Sequence, residues 1–219
     1  MRAEEGRIPF RGHETWYRSV GDGTGLPLLC LHGGPGSTHL GLTPLERLGD
    51  ERRVVLYDQL GSGNSSKPSD PSLWTVELFL AELVNVREAL GLEQVHLLGH
   101  SWGGMLAQEY ALTEPGGLVS LVLSSTLSSA ALWREESLRL RAALPAEIRE
   151  PLDAHEAAGT TDDPEYERAI VEFLHRHLCR LDPWPRLVEE VLRSTNLEAY
   201  NTMWGRARLT RPESSPAGT

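Results

Sequence analysis

The residue best placed for covalent chemistry is Ser101. It stands in the run Val95-His96-Leu97-Leu98-Gly99-His100-Ser101-Trp102-Gly103-Gly104, where Gly99, Ser101 and Gly103 give the spacing G-x-S-x-G. An apolar run precedes it and a helical pattern follows. Between a strand and a helix, that spacing makes a turn so tight that the flanking positions must lack side chains. The serine oxygen then stands clear of the sheet at a helix N-terminus. There the helix dipole and the Trp102 N–H can stabilise a developing negative charge. The plain alternative is a glycine-rich turn with a bystander serine. The strand and helix on either side weigh against it.

A second glycine-rich run, His32-Gly33-Gly34-Pro35-Gly36, follows another apolar stretch. A loop of this kind can supply a second oxyanion donor, and Gly34 is the candidate. A Cβ there would crowd an oxygen that must lie about 3 Å from a backbone nitrogen. A phosphate-binding loop would need Gly-Lys-Ser/Thr, which is absent. His32 reads as a brace for the loop, and His100 as a packing or hydrogen-bonding part of the elbow. The third run, Asp58-Gln59-Leu60-Gly61-Ser62-Gly63-Asn64-Ser65, reads as a structural floor. Ser62 and Ser65 have no elbow around them and are not nucleophile candidates.

A serine hydroxyl needs a base, and a histidine oriented by a carboxylate is the usual one. After Ser101 the histidines are His155, His175 and His177, and the last aspartate is Asp182. Phe173-Leu174-His175-Arg176-His177 has the look of a helix face, where a histidine is more often solvated or structural than catalytic. Asp162, Asp163, Glu165 and Glu167 could meet an amine, but such a run is more often a solvated face.

These residues need elements to hold them. Apolar runs predict strands at about residues 14–20, 26–31, 53–57, 95–98 and 118–123. Four of these are apolar nearly throughout, as a sheet covered on both faces requires. Thr75 predicts an N-cap. Behind it Phe79, Leu83, Val86 and Leu90 recur at helical spacing, with Glu82, Arg87 and Glu88 on other faces and Gly91 as the stop. A second helix is predicted over 102–112. Strands alternating with helices predict an α/β fold with a mostly parallel sheet. From about residue 127 no strand pattern remains, and residues 130–201 read as three or four helices broken at Pro145, 159–164 and 183–185. The expected organisation is a core over 1–126, a helical cap over 127–205 and a disordered tail over 206–219.

Composition narrows the function. The chain has 219 residues, 40% hydrophobic and 24% charged, with a net charge of −10. Residues 206–219 carry +2 and the preceding 205 residues −12. That acidic balance disfavours nucleic acid as a partner. No apolar run approaches the ~18 residues of a membrane span, and the N-terminus lacks an export signal's apolar core, so a soluble cytoplasmic protein is expected. Cys30 and Cys179 form no C-x-x-C pair, so a zinc site or redox motif is unsupported.

Together, HGGPG at 32–36, DQLGSGNS at 58–65 and GHSWGG at 99–104 resemble the proline iminopeptidase family of α/β hydrolases. The stretch from Asn196 to Gly205, ending Met-Trp-Gly, is similar to the cap of that family's amidase and archaeal-aminopeptidase branch. The resemblance covers about residues 7–205. It implies the α/β-hydrolase fold with a helical cap, Ser101 as the nucleophile, and Gly34 and Trp102 as the oxyanion-hole donors. It also implies a small peptide or amino-acid amide as substrate, release of its N-terminal residue, often proline, and no cofactor.

The family then continues into a Pro-containing stretch with a substrate-binding acid, and into strands bearing the catalytic Asp and His. Here the resemblance, the periodicity and the charge balance stop together after Trp204-Gly205. Glu213 does not match the family's acid. The expectation is a truncated or frameshifted product whose sheet lacks its C-terminal strands, with little or no peptidase activity. Another α/β hydrolase, such as an esterase or lactonase, and a non-catalytic remnant or binding protein are the rival readings.

Overall fold

A computed structural model describes residues 2–204, and the tail expected over 206–219 lies outside the described residues. Along the chain come β1 (Ala3–Phe10), β2 (His13–Leu31), a 3-10 helix (His39–Asp50), β3 (Arg52–Tyr57), a short 3-10 turn (Pro71–Leu73), α1 (Val76–Ala89), β4 (Val95–His100), α2 (Trp102–Leu112) and β5 (Leu118–Ser124). The helices α3 (Ala130–Ala142), α4 (Ala146–Ala158), α5 (Pro164–His177), α6 (Arg186–Ser194) and α7 (Leu197–Trp204) follow.

The described residues group into two compact units, 2–128 with 194–204, and 129–193. The division expected at 126/127 thus falls at 128/129, and residues 194–204 group with the sheet.

In the first unit β2 differs most from expectation. The two strands expected at 14–20 and 26–31 are one long strand. Its first limb pairs Tyr17 with Tyr57 and Val20 with Val54, in antiparallel register. Its second limb pairs Leu28, Leu29 and Cys30 with Val54, Val55 and Leu56, both chains running the same way. The strand therefore bends around β3 and flanks it on both sides. The bend needs bare backbone: a Cβ on Gly21 would stand 2.2 Å from the Gly49 carbonyl oxygen, and one on Gly23 2.2 Å from the Glu51 carbonyl carbon. Beyond the second limb, β4 and β5 add in parallel, Leu29 opposite Leu97 and Leu98 opposite Val122. β1, which the sequence reading did not include, pairs antiparallel to the first limb of β2.

The pleat divides the buried residues between two faces. Leu29, Leu31, Val55, Tyr57 and Leu97 meet Phe79, Leu83 and Val86 of α1 and Leu106 and Tyr110 of α2. Leu28, Cys30, Val54, Leu56 and Leu98 meet Leu42, Leu45 and Leu48 of the 3-10 helix on the other side. That helix was not expected either. α1 starts as its sequence predicts, with the Thr75 hydroxyl accepting the Leu78 N–H at 3.1 Å. Among the described residues β5 forms a sheet edge, with Val119, Val122 and Leu123 exposed.

The second unit is helical. Ser129 and Asp163 cap α3 and α5 through their side chains. Leu152, Tyr166, Ile170, Phe173 and Leu174 form its core with Leu144 and Trp184. No described helix is long and apolar enough to cross a membrane.

Candidate active site

Ser101 joins β4 to α2 with φ 53° and ψ −121°. A side chain rarely adopts positive φ, and holding it there costs about 1–3 kcal/mol that the surroundings must offset. They do so through the backbone. The Ser101 N–H donates to the Ser124 carbonyl at 3.0 Å, and the Ser101 carbonyl accepts the Gly104 N–H at 2.9 Å. The glycines around it are sterically required. A Cβ on Gly99 would lie 2.3 Å from the Gly103 carbonyl oxygen, and one on Gly103 2.3 Å from that of Leu31. The Ser101 hydroxyl makes no cap bond to the helix it starts. Trp102 follows at the first helical position, where a backbone N–H has no acceptor within the helix.

The 32–36 loop is brought against this turn. A Cβ on Gly33 would stand 3.2 Å from the Cβ of Ser101 and 3.3 Å from Nδ1 of His100. Gly34 has φ 117° and is the one partly exposed residue of the loop, and Ser101 is half-buried. The three residues singled out in the sequence, Ser101, Gly34 and Trp102, thus lie on two loops packed together at the C-terminal ends of β2 and β4. Such a place can host acyl transfer, with a nucleophile at a helix N-terminus and backbone N–H groups from two loops.

A buried hydrogen-bond network supports both loops. His32 is buried, and burial holds it below the ordinary histidine range despite the pull of Asp58. Its Nε2 accepts the Gln59 backbone N–H at 3.0 Å, so Nδ1 carries the proton and donates to the Gly33 carbonyl at 2.8 Å. The Gln59 amide donates to the His32 carbonyl at 3.1 Å and accepts the Trp102 indole N–H at 3.0 Å. Asp58 accepts from the backbone N–H of His39 at 2.7 Å, from its Nδ1 at 2.9 Å, and from the Asn64 N–H at 2.8 Å. Burial works against the Asp58 charge, but the His39 bond and the nearby imidazoles outweigh it and keep the carboxyl below its usual range. Gly63 leaves room for that carboxylate; a Cβ there would meet Oδ2 at 2.1 Å.

Glu82 corrects an expectation. The sequence places it with Arg87 and Glu88 on faces other than the apolar one, yet Glu82 and Arg87 are buried. Glu82 accepts the Thr15 hydroxyl and the Leu60 N–H at 2.9 Å, and burial pushes its carboxyl up to about 7. Its position four residues after Leu78 and four before Val86, on the apolar stripe, was the available signal. Arg87 donates to the carbonyls of Leu92, Glu93 and Gly116. Two further residues had no local signal. Asn196 donates its N–H to the Gly36 carbonyl at 2.8 Å and its side-chain amide to the Gly61 carbonyl at 2.9 Å. The Trp204 indole donates to the Gly34 carbonyl at 3.0 Å.

The histidines are largely committed elsewhere. His39 serves Asp58, and His96 meets the Ser120 hydroxyl at 2.7 Å. His155 meets the Thr160 hydroxyl at 2.9 Å and the Glu165 carboxylate at 3.4 Å, while His175 and His177 stack on Trp184 and Phe173. Of the acids considered for an amine, Asp163 caps α5, and Glu165 and Glu167 occupy its first turn. His155, Asp163 and Glu165 bring ligand-type atoms within 4.8 Å of one another, with Asp163 half-buried and Glu165 exposed.

Comparison with known proteins identifies the family. Residues 27–214 match the family model described as alpha/beta hydrolase fold. The chain is 43% identical, over all of its length and 75% of the relative's, to a proline iminopeptidase of Clostridium botulinum. It is 45% identical to one from Lactobacillus acidophilus, covering 94% of this chain and 72% of that protein. Among solved structures, the proline iminopeptidase of Mycobacterium smegmatis superposes with a TM-score of 0.80 at 42% identity, over 92% of this chain and 69% of that one. VinJ superposes with a TM-score of 0.87 at 41% identity, over 90% of this chain and 70% of that one.

Proposed function

The chain belongs to the proline iminopeptidase family of α/β hydrolases, and from that premise we propose that it is a serine hydrolase built to release an N-terminal residue, proline above all, from small peptides or amides. The observation that carries the reading is the positive-φ backbone of Ser101 at a strand-to-helix turn, with the Gly33–Gly34 loop packed against it.

In this reading the Ser101 oxygen attacks the substrate carbonyl. The oxyanion lies between the N–H groups of Gly34 and Trp102, the amine departs, and water cleaves the acyl-Ser101 ester. Such donors are worth most where charge develops in the transition state. The proton of Ser101 must go to a base. Among the described residues most histidines are engaged with other partners, so the 219-residue chain is expected to turn over prolyl amides close to the background rate.

A fluorophosphonate probe tests the nucleophile separately from turnover. With no base assigned among the described residues to take the Ser101 proton, the expected result is slow formation of one adduct, on the peptide containing Ser101, that Ser101→Ala abolishes. No adduct, or one on another residue, rejects the reading. Proline p-nitroanilide measures turnover in parallel.

A further inference from the structure

We propose that His32 and Trp204 are positioning residues which together fix the direction of the Gly34 N–H; the proposal rests on the reading of Gly34 as an oxyanion donor. A donor carried by a glycine at φ 117° has no side chain to hold it, and glycine moves between backbone wells more freely than any other residue. Transition-state stabilisation requires a donor whose direction is already set.

Both peptide planes that flank Gly34 are gripped by a ring N–H. The Gly33 carbonyl accepts from His32 Nδ1 at 2.8 Å. The Gly33–Gly34 peptide is trans, so its carbonyl and its N–H point in opposite directions, and anchoring the first aims the second. The Gly34 carbonyl accepts from Trp204 Nε1 at 3.0 Å, which fixes the next plane. The Trp204 ring also stands edge-on to Trp102, with centroids 6.5 Å apart. His32 can grip Gly33 only in the neutral Nδ1–H form, because its Nε2 is occupied as an acceptor of the Gln59 N–H. The Gln59 side chain then sets the Gly34 loop against the Trp102 turn through its bonds to the His32 carbonyl and the Trp102 indole. Asn196 closes the far end of the loop at Gly36. The two oxyanion donors are therefore held relative to each other by the side chains of His32, Gln59 and Trp204.

The test uses the full chain and two readouts. Nitrogen-15 NMR of the imidazoles is expected to find His32 neutral with its proton on Nδ1. Trp204→Phe keeps an aromatic ring and removes the N–H. It is expected to move the Gly34 amide resonance while most other amides stay in place, and to lower the maximal fluorophosphonate labelling rate about tenfold, with half-saturation changed less than about twofold. His32→Asn, which places an amide N–H near the former Nδ1, is expected to label faster than His32→Ala. His32 found as the Nε2–H form or the cation, or a Gly34 amide unmoved by Trp204→Phe, overturns the proposal. If the unaltered chain takes no label, the hydrolase reading fails, and the tautomer and the Gly34 resonance still decide the positioning claim.

Discussion

The Thr126 hydroxyl donates to the Ser101 carbonyl across 2.6 Å, from the loop that follows β5. The same side chain fills the space beside Gly104, where a Cβ would come within 2.5 Å of its Cβ and Oγ1. Thr126 is thus both a hydrogen-bond partner and a wall for the turn. Thr126→Val keeps the shape and removes the bond. Urea unfolding is expected to show a loss of about 1 kcal/mol, with fluorophosphonate labelling slowed as Ser101 relaxes from its positive φ.

The glycines of the elbow should differ sharply from glycines elsewhere. Gly103→Ala would force a methyl against the Leu31 and His32 carbonyl oxygens, which are backbone and cannot swing away. It is expected to destabilise the chain by about 1–3 kcal/mol and to abolish labelling. Gly116→Ala, with nothing within 4 Å, is expected to stay within about 0.5 kcal/mol in the same unfolding measurement.

Two buried carboxylates predict opposite responses to pH. Glu82 is raised to about 7 by burial. The folded chain therefore favours its protonated form, and stability is lost as pH rises from about 4.5 through 7, by about 3 kcal/mol in total. Glu82→Gln is expected to flatten this part of the stability–pH curve. Asp58 is held below its usual range, so its contribution is present above about pH 4 and disappears on further acidification. Asp58→Asn is expected to remove that acid limb. Urea midpoints measured across the pH range separate the two.

Thiol reactivity should report the two cysteines separately. Cys30 is fully buried in the sheet, and burial pushes its thiol well above the ordinary range. Cys179 is only partly buried. A disulfide reagent is expected to modify Cys179 in the native chain and Cys30 only after denaturation. Fast native modification of Cys30 would contradict the packing of β2 between β3 and β4.

The parts of this site that were legible in the sequence are those whose physics is local. Gly99, Ser101 and Gly103 announce a turn because sterics act over neighbouring residues, and α2 spans the predicted 102–112. Thr75 announces α1 in the same way. What was illegible depends on distant partners. β1 carries Glu4, Glu5, Gly6, Arg7 and Pro9, a polar composition that suits a sheet edge and hides a strand. Residues 21–25 lie between two expected strands, and the bareness of Gly21, Gly23 and Gly25 there lets one strand bend past Gly49 and Glu51. The grips of Asn196 and Trp204 on the 32–36 loop leave no mark near that loop, since the Trp204 partner is 170 residues away in sequence.

That separation sets an order of assembly. As the chain is synthesised, the Gly34 loop and the Ser101 turn emerge long before α7, so they can fold against each other while one grip on Gly34 is still missing. Contacts this remote close late, because they bear the entropy of a very long loop. The sheet can be native before the last described helix docks, and only that final event clasps the Gly34 carbonyl in place.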